Sequence, residues 1–265
     1  MQNITSDKPV ILVMAGHDPT GGAGIQADIE SIAAHDCHAA TVVTCLTTQN
    51  TGKFWKSFPQ QAADFQQQLD SLIQDMQFSA CKIGLVTESS ILSVIESILE
   101  RIDPVPVVMD PVLISGSGEN ISDREIFLLS ENSLFRNLAV ITPNSMEARK
   151  LTGIDNLEKC ADDLLKRGCS SVLITGTHED TIPVINTLYL QGGESVEYTW
   201  ERLPGSYHGT GCTLSSSIAA NLALGFDLQQ AVEKAQNYTW NTIDKALKLA
   251  KHQLHPNRLY SGTLK

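Results

Sequence analysis

Short β-branched and apolar runs alternate with helical patterns along most of this chain, and that alternation allows few architectures. Runs at 10–15, 39–48, 81–84, 106–109, 138–142 and 171–175 read as strands. Between them, Ile25, Ile29, Ile32 and Ala33 share one helical face, and Ala62, Phe65, Leu69, Leu72, Ile73 and Met76 share another. Similar patterns occupy 91–99 and 157–167. Strands joined by helices pair in parallel and bury both faces, so the expected fold is α/β, a three-layer α/β/α sandwich around a mainly parallel sheet. The segments 183–190 and 195–203 alternate as antiparallel strands would, and 228–249 reads as an outer helix carrying Val232, Ala235, Thr239, Ile243 and Ala246 inward. From about 252 the chain holds Pro256, Gly262 and little apolar content, which predicts an irregular tail. No linker or composition break divides it, so residues 1–265 are expected to form one domain.

A net charge of −11 argues against a nucleic-acid partner, because displacing counterions from phosphates needs a basic surface. Anionic ligands must then be held by local devices such as helix ends, metal ions or single basic side chains. The six cysteines, at 37, 45, 81, 160, 169 and 212, contain no C-x-x-C pair and suit a reducing cytoplasm. Residues 1–9 are polar and lack the apolar core of a secretory leader, and no window approaches a membrane span.

The strongest chemical signal is Pro204-Gly205-Ser206-Tyr207-His208-Gly209-Thr210-Gly211-Cys212-Thr213-Leu214, which leads into a helical run with Leu214, Ile218 and Leu222 spaced four apart. Glycines here let backbone N–H groups converge, and a helix N-terminus attracts anions. Cys212 stands on the first turn, where the same partial charge is expected to favour a thiolate. Near the start, the loop 16–24 is rich in glycine but has no Lys-Ser/Thr pair after it, which removes a P-loop. Asp28 follows on the first helix, able to reach the same pocket or simply to face solvent. Gln49 ends the second strand with an amide suited to a pyrimidine edge, or to an ordinary turn. Asp110 ends a parallel strand on the face where such sheets bind ligands, which makes it a metal or phosphate-side candidate or a turn-initiating Asp before Pro. Asn144 and Glu147, three apart, share a face; they suit Mg²⁺ held through water, and equally an N-cap with an acidic first turn.

With Ala15-Gly16-His17-Asp18-Pro19-Thr20-Gly21-Gly22-Ala23-Gly24-Ile25-Gln26-Ala27-Asp28, Lys82-Ile83-Gly84, Asp110-Pro111-Val112 and Thr142-Pro143-Asn144 in order, His208 to Thr213 resembles the hydroxymethylpyrimidine and phosphomethylpyrimidine kinases of thiamin biosynthesis, in the ribokinase-like superfamily. The resemblance spans about Val10 to Asp244. It implies an ATP- and Mg²⁺-dependent kinase acting on 4-amino-5-hydroxymethyl-2-methylpyrimidine and then on its monophosphate, in a cytoplasmic homodimer. It implies an anion hole at Gly209, Thr210 and Gly211 with Cys212 as catalytic base, and a pyrimidine pocket lined by Gly16, Asp28, Gln49, Leu85 and Val112. The nucleotide would lie along Asn144, Thr175 and Gly176, with the metal near Asp110 and Glu147. Two lysines common in the family are replaced, at Gly116 and Thr175, so neutralisation of the phosphates is expected from Lys82 or a second cation.

Three other readings make distinct demands. A pyridoxine or pyridoxal kinase would keep the loop and change the acceptor. A Cys-His hydrolase would pair Cys212 with His208 or His17. A pyrimidine-binding sensor without catalysis would follow from the missing lysines.

Overall fold

The computed structural model describes residues 8–102, 104–114, 118–122, 124–128 and 133–260. Gly116, where the family's lysine would stand, lies outside the described residues.

In chain order the elements are β1 (Val10–His17), α1 (Gly24–Ala34), β2 (His38–Asn50), β3 (Lys53–Pro59), α2 (Ala62–Asp75), β4 (Ala80–Ile83), α3 (Ser89–Ile102), β5 (Val107–Met109), α4 (Arg124–Leu128), α5 (Ser133–Arg136), β6 (Val140–Ile141), α6 (Ser145–Thr152), α7 (Leu157–Lys166), β7 (Ser171–Thr175), β8 (Val184–Leu190), β9 (Ser195–Trp200), α8 (Thr210–Ala223) and α9 (Leu228–Asp244). The strands form one sheet in the order β3-β2-β1-β4-β5-β6-β7-β8-β9. From β2 through β7 neighbours run parallel, whereas β3, β8 and β9 pair antiparallel at the two margins.

Strand parity builds two separate cores. Leu12, Met14, Cys81, Ile83, Val107, Met109 and Ile141 face one side and pack against Phe65 and Leu69 of α2, Ile91, Ile95 and Ile98 of α3, and Leu164 of α7. The intervening residues Ile11, Val13, Ala80, Val108 and Val140 face the other side and meet Ile32 of α1, Leu214 and Ile218 of α8, and Val232 and Ala235 of α9. Both faces are therefore dry, which is why the strands read as nearly continuous apolar runs.

Three details depart from the sequence reading. In α1 the inward residues are Ala27, Asp28, Ser31 and Ile32, while Ile29 is 41% exposed. The face rotates because Asp28 finds a buried cation, described below. The helix α8 is buried throughout 213–221 and is not amphipathic, since it lies between the sheet, α1 and α9. Each of its three buried serines is hydrogen-bonded: Ser215 Oγ donates to Cys212 O at 3.2 Å, Ser216 Oγ donates to Asp28, and Ser217 Oγ meets His35 Nε2 at 2.9 Å. Finally, α9 stops at Asp244, short of Leu249, because the backbone of Leu247 pairs with His255 instead. The stretch beyond 252 holds no helix or strand among its described residues, yet Gln253, His255 and Arg258 are buried against the body.

Candidate active site

Because β1, β4, β5, β6 and β7 are parallel, their carboxyl ends share one edge, and β2 and β4 flank β1 on opposite sides. In open α/β sheets such a reversal opens the crevice that holds ligands. The loops after β1 and β5 meet the first turn of α8 at this edge.

The loop after β1 is organised by Asp18. Its Oδ1 accepts from the Thr20 N–H at 2.9 Å, and its Oδ2 accepts from Thr20 Oγ1 at 2.8 Å and the Ala23 N–H at 2.9 Å. His208 Nε2 reaches the same Oδ2 at 2.8 Å. Burial works against ionisation of Asp18, but His208 and Thr20 outweigh it and lower the pKa to about 2. His208 is thus committed to Asp18, so it is not the partner of Cys212 that a hydrolase would need.

The two glycine-rich loops touch backbone to backbone. Gly209 caps α8 with φ +80°, and a Cβ there would sit 1.9 Å from the carbonyl oxygen of Gly22. The N–H groups of Thr210, Gly211 and Cys212 have no intrahelical acceptor because they open the helix, and no side chain caps them. This first turn lies beside the carboxyl end of β5: a Cβ on Gly211 would lie 3.5 Å from Asp110 Oδ2.

Around Cys212 the electrostatics differ from the expectation. Burial pushes its thiol pKa up to about 12, Lys82 pulls it down, and the carboxylates of Asp110 and Asp28 raise it again. The helix terminus does not produce a thiolate here, because desolvation and two nearby anions outweigh a partial charge. Cys212 is half-buried, whereas the other five cysteines are buried; all six are free thiols.

Asp28 and Lys82 occupy the layer beneath. Both are fully buried, with Nζ 2.8 Å from Asp28 Oδ1, and Ser216 Oγ donates to the same oxygen at 2.7 Å. Burial alone would lower the Lys82 pKa, but Asp28, Cys212 and Asp110 raise it. Asp28 and Lys82 both lie beneath the site with no exposed surface.

Burial raises the pKa of Asp110, opposed by Lys82 and reinforced by Asp28; burial and then Asp110 raise that of Glu147. Asn144 and Glu147 form a reciprocal cap on α6: Asn144 Oδ1 accepts from the Glu147 N–H at 2.9 Å, and Glu147 Oε2 from the Asn144 N–H at 3.0 Å. Glu147 Oε1 also accepts from the Leu113 N–H at 3.2 Å, tying β6 to the loop after Asp110. Among the described residues no group of three or more His, Cys, Asp and Glu side chains is placed to hold a metal. Two buried carboxylates of raised pKa, with Lys82 already paired to Asp28, nevertheless offer the oxygen donors that suit a hard dication keeping its own waters.

Asn144, Thr175 and Gly176 do come together, for Asn144 bridges Thr175 and the Thr175 N–H donates to Pro143 O at 3.0 Å. The Gly176 N–H is taken by Asn186 Oδ1 at 3.0 Å, so that amide is not open to a phosphate. On the other flank Gly16 abuts Cys45 and Leu85, each 3.1 Å from where a Cβ would stand. Gln49 Nε2 donates to Thr47 Oγ1 at 2.8 Å, and half-buried Val112 follows Asp110.

A family model described as phosphomethylpyrimidine kinase matches residues 18–257. The chain belongs to that family. A hydroxymethylpyrimidine/phosphomethylpyrimidine kinase of Saccharomyces cerevisiae is 34% identical, over 94% of this chain and 48% of its own length. A protein of the same name from Synechococcus elongatus is 31% identical over 92% of this chain and 95% of its own. The chain spans about half the length of the first curated relatives it matches. Among solved structures, phosphomethylpyrimidine kinase from Clostridium difficile 630 superposes with TM-score 0.76 at 30% identity, covering 89% of this chain and 100% of that one. An ADP complex of Bacillus subtilis pyridoxal kinase gives TM-score 0.86 at 25% identity, covering 95% and 97%. In this phosphomethylpyrimidine kinase family member the sheet is likewise a mainly parallel, ribokinase-like one.

Sequence reasoning missed the Asp18–His208 pair and the role of Arg258. Asp-Pro-Thr-Gly at 18–21 is a turn-forming sequence that points to a side chain folding back on its own loop. Arg258, in a stretch with no periodicity, offered no signal.

Proposed function

We propose that this chain is an ATP-dependent kinase that phosphorylates 4-amino-5-hydroxymethyl-2-methylpyrimidine and then its monophosphate. The observation that carries this reading is the first turn of α8, at Thr210, Gly211 and Cys212, which no side chain caps and which lies beside Asp110. Phosphoryl transfer needs donors aimed at a spreading negative charge, and helix-terminal amides provide them without reorganisation. Family membership supports the reaction class.

The pyrimidine would sit against Gly16, Leu85 and Val112 with Gln49 at its edge, and Asp28 beneath would hold Lys82 and Ser216 in place. ATP would lie along Asn144 and Thr175. Mg²⁺, when bound, would neutralise the phosphate oxygens; Glu147 would hold it through water, which leaves the Asp110 carboxylate able to take a proton. Cys212 starts protonated, so the base is a pair. The alcohol proton passes to Cys212 Sγ as the thiol proton passes to the Asp110 carboxylate, whose raised pKa makes it an acceptor near neutrality. A phosphate monoester acceptor needs no such base. We take residues 1–265 as one kinase domain working as a cytoplasmic homodimer; light scattering during gel filtration tests the assembly.

The test of function is ATP consumption with the pyrimidine alcohol and, separately, with its monophosphate. Turnover on both supports the reading, and binding without turnover would leave a sensor. A second acceptor is favoured by the close superposition on a pyridoxal kinase. If pyridoxal is phosphorylated faster than the pyrimidine alcohol, the acceptor assignment changes while the site stands.

A further inference from the structure

Arg258 is 2% exposed and lies behind the seam between the two glycine-rich loops. Its Nε donates to Thr213 Oγ1 at 2.8 Å. Its Nη1 donates to Gly21 O at 3.4 Å and to Glu30 Oε2 at 3.1 Å, and its Nη2 donates to Gly22 O. Gly22 O is the atom that Gly209 packs against, and Thr213 Oγ1 itself donates to Gly209 O at 2.8 Å. A planar five-donor fork can brace both sides of such a seam at once, as an ammonium cannot.

The backbone that carries the guanidinium is itself anchored. Tyr238 Oη donates to Arg258 O at 2.9 Å, and the Asn257 N–H donates to Thr242 O at 2.9 Å. Upstream, the His208 N–H donates to Leu254 O and the Leu254 N–H to Ser206 O, both at 2.9 Å. Residues 254–258 therefore run as a strap from the start of the 206–212 loop to the back of its helix.

We infer that Arg258 is a positioning residue for phosphoryl transfer, fixing the 209–212 amides against the loop after β1. This rests on reading that first turn as the phosphoryl site. Arg258 has no contact with the reacting atoms, so its loss should act on kcat through loop geometry and leave ATP binding largely intact.

The experiment compares wild type, R258A and R258K for kcat and for KM of ATP, with and without millimolar guanidinium. Alkylation of Cys212 by iodoacetamide is followed in parallel by peptide mass spectrometry. R258A should lose about 100-fold in kcat with KM for ATP within about threefold, as a misplacement of about 1 Å would give. Guanidinium should restore about tenfold of that loss, R258K should restore less, and Cys212 should alkylate faster in R258A and slow again with guanidinium. An unchanged kcat, or a loss that tracks the folded fraction and ignores guanidinium, overturns the inference. If wild type transfers phosphate to neither pyrimidine nor to pyridoxal, the kinase reading fails; unchanged Cys212 labelling in R258A then overturns the inference independently. Should R258A not fold, T213V removes only the bridging hydroxyl and carries the same kinetic and labelling test, without the guanidinium arm.

Discussion

Lys82 Nζ lies 2.8 Å from Asp28 Oδ1, and neither side chain reaches solvent. The pair joins the middle of the sheet to α1, and Ser216 of α8 adds a third hydrogen bond to the same oxygen. Three elements that carry the site are thereby locked together in one buried polar knot.

Breaking one side of that knot should be costly. Lys82→Met leaves Asp28 charged and unpaired, which is expected to destabilise the fold by about 3–5 kcal/mol in urea unfolding. Adding Asp28→Leu removes the stranded charge and should recover a large part of the loss. A double variant no more stable than the single one would show that the pair contributes more than mutual neutralisation.

The paired base predicts a particular pH profile. A lone thiol raised to about 12 would make alcohol turnover climb tenfold per pH unit through neutrality. Relay to Asp110 instead makes log kcat level off once that carboxylate is ionised. Cys212→Ala should lower alcohol phosphorylation by about 10²–10⁴-fold and spare much of the monophosphate step. Equal losses on both acceptors would remove Cys212 from the base role.

Asp110 should show a trade-off between stability and activity. Its folded pKa is raised, so its ionised form is a cost to the fold that is present at neutral pH and relieved as pH falls toward the ordinary carboxylate range. Asp110→Asn is therefore expected to raise the thermal midpoint of the ligand-free protein by a few degrees, about 1 kcal/mol or more, while abolishing most turnover. Calorimetry beside the kinase assay checks both halves.

Asp18 carries the opposite sign. Its pKa falls from 3.8 to about 2 on folding, so its contribution is fully present above pH 3.8 and is lost as pH drops through about 2. The shift corresponds to roughly 2 kcal/mol. Asp18→Asn should flatten the wild-type decline in stability across this acid window, measured by urea midpoints at successive pH values. A parallel decline in both proteins would move the effect elsewhere.

The sheet, its helices and the motifs at 110, 144–147 and 209–212 were legible because each rests on local pattern: apolar runs, capping residues and glycines where backbones meet. What was hidden depends on partners far away in the chain. The inward turn of α1 follows from Lys82, 54 residues on, not from the apolar residues Ile25 and Ile29. The serines of α8 look like surface positions until Asp28 and His35 are placed beside them. The thiol of Cys212 was expected to ionise from its place on a helix; burial opposes that first, and the carboxylates that add to it come from α1 and from just after β5. Arg258 bonds to residues more than 200 positions earlier, and no local signal announces such a contact.

The order of synthesis gives the strap at 254–258 a consequence. A ribosome delivers the glycine loop of β1 first and the start of α8 much later, yet the guanidinium that clamps them arrives only after the whole of α9 has emerged. Until then the sheet strands are all present while the seam between the two glycine loops lacks its clamp, so this corner is completed later than the framework that carries it.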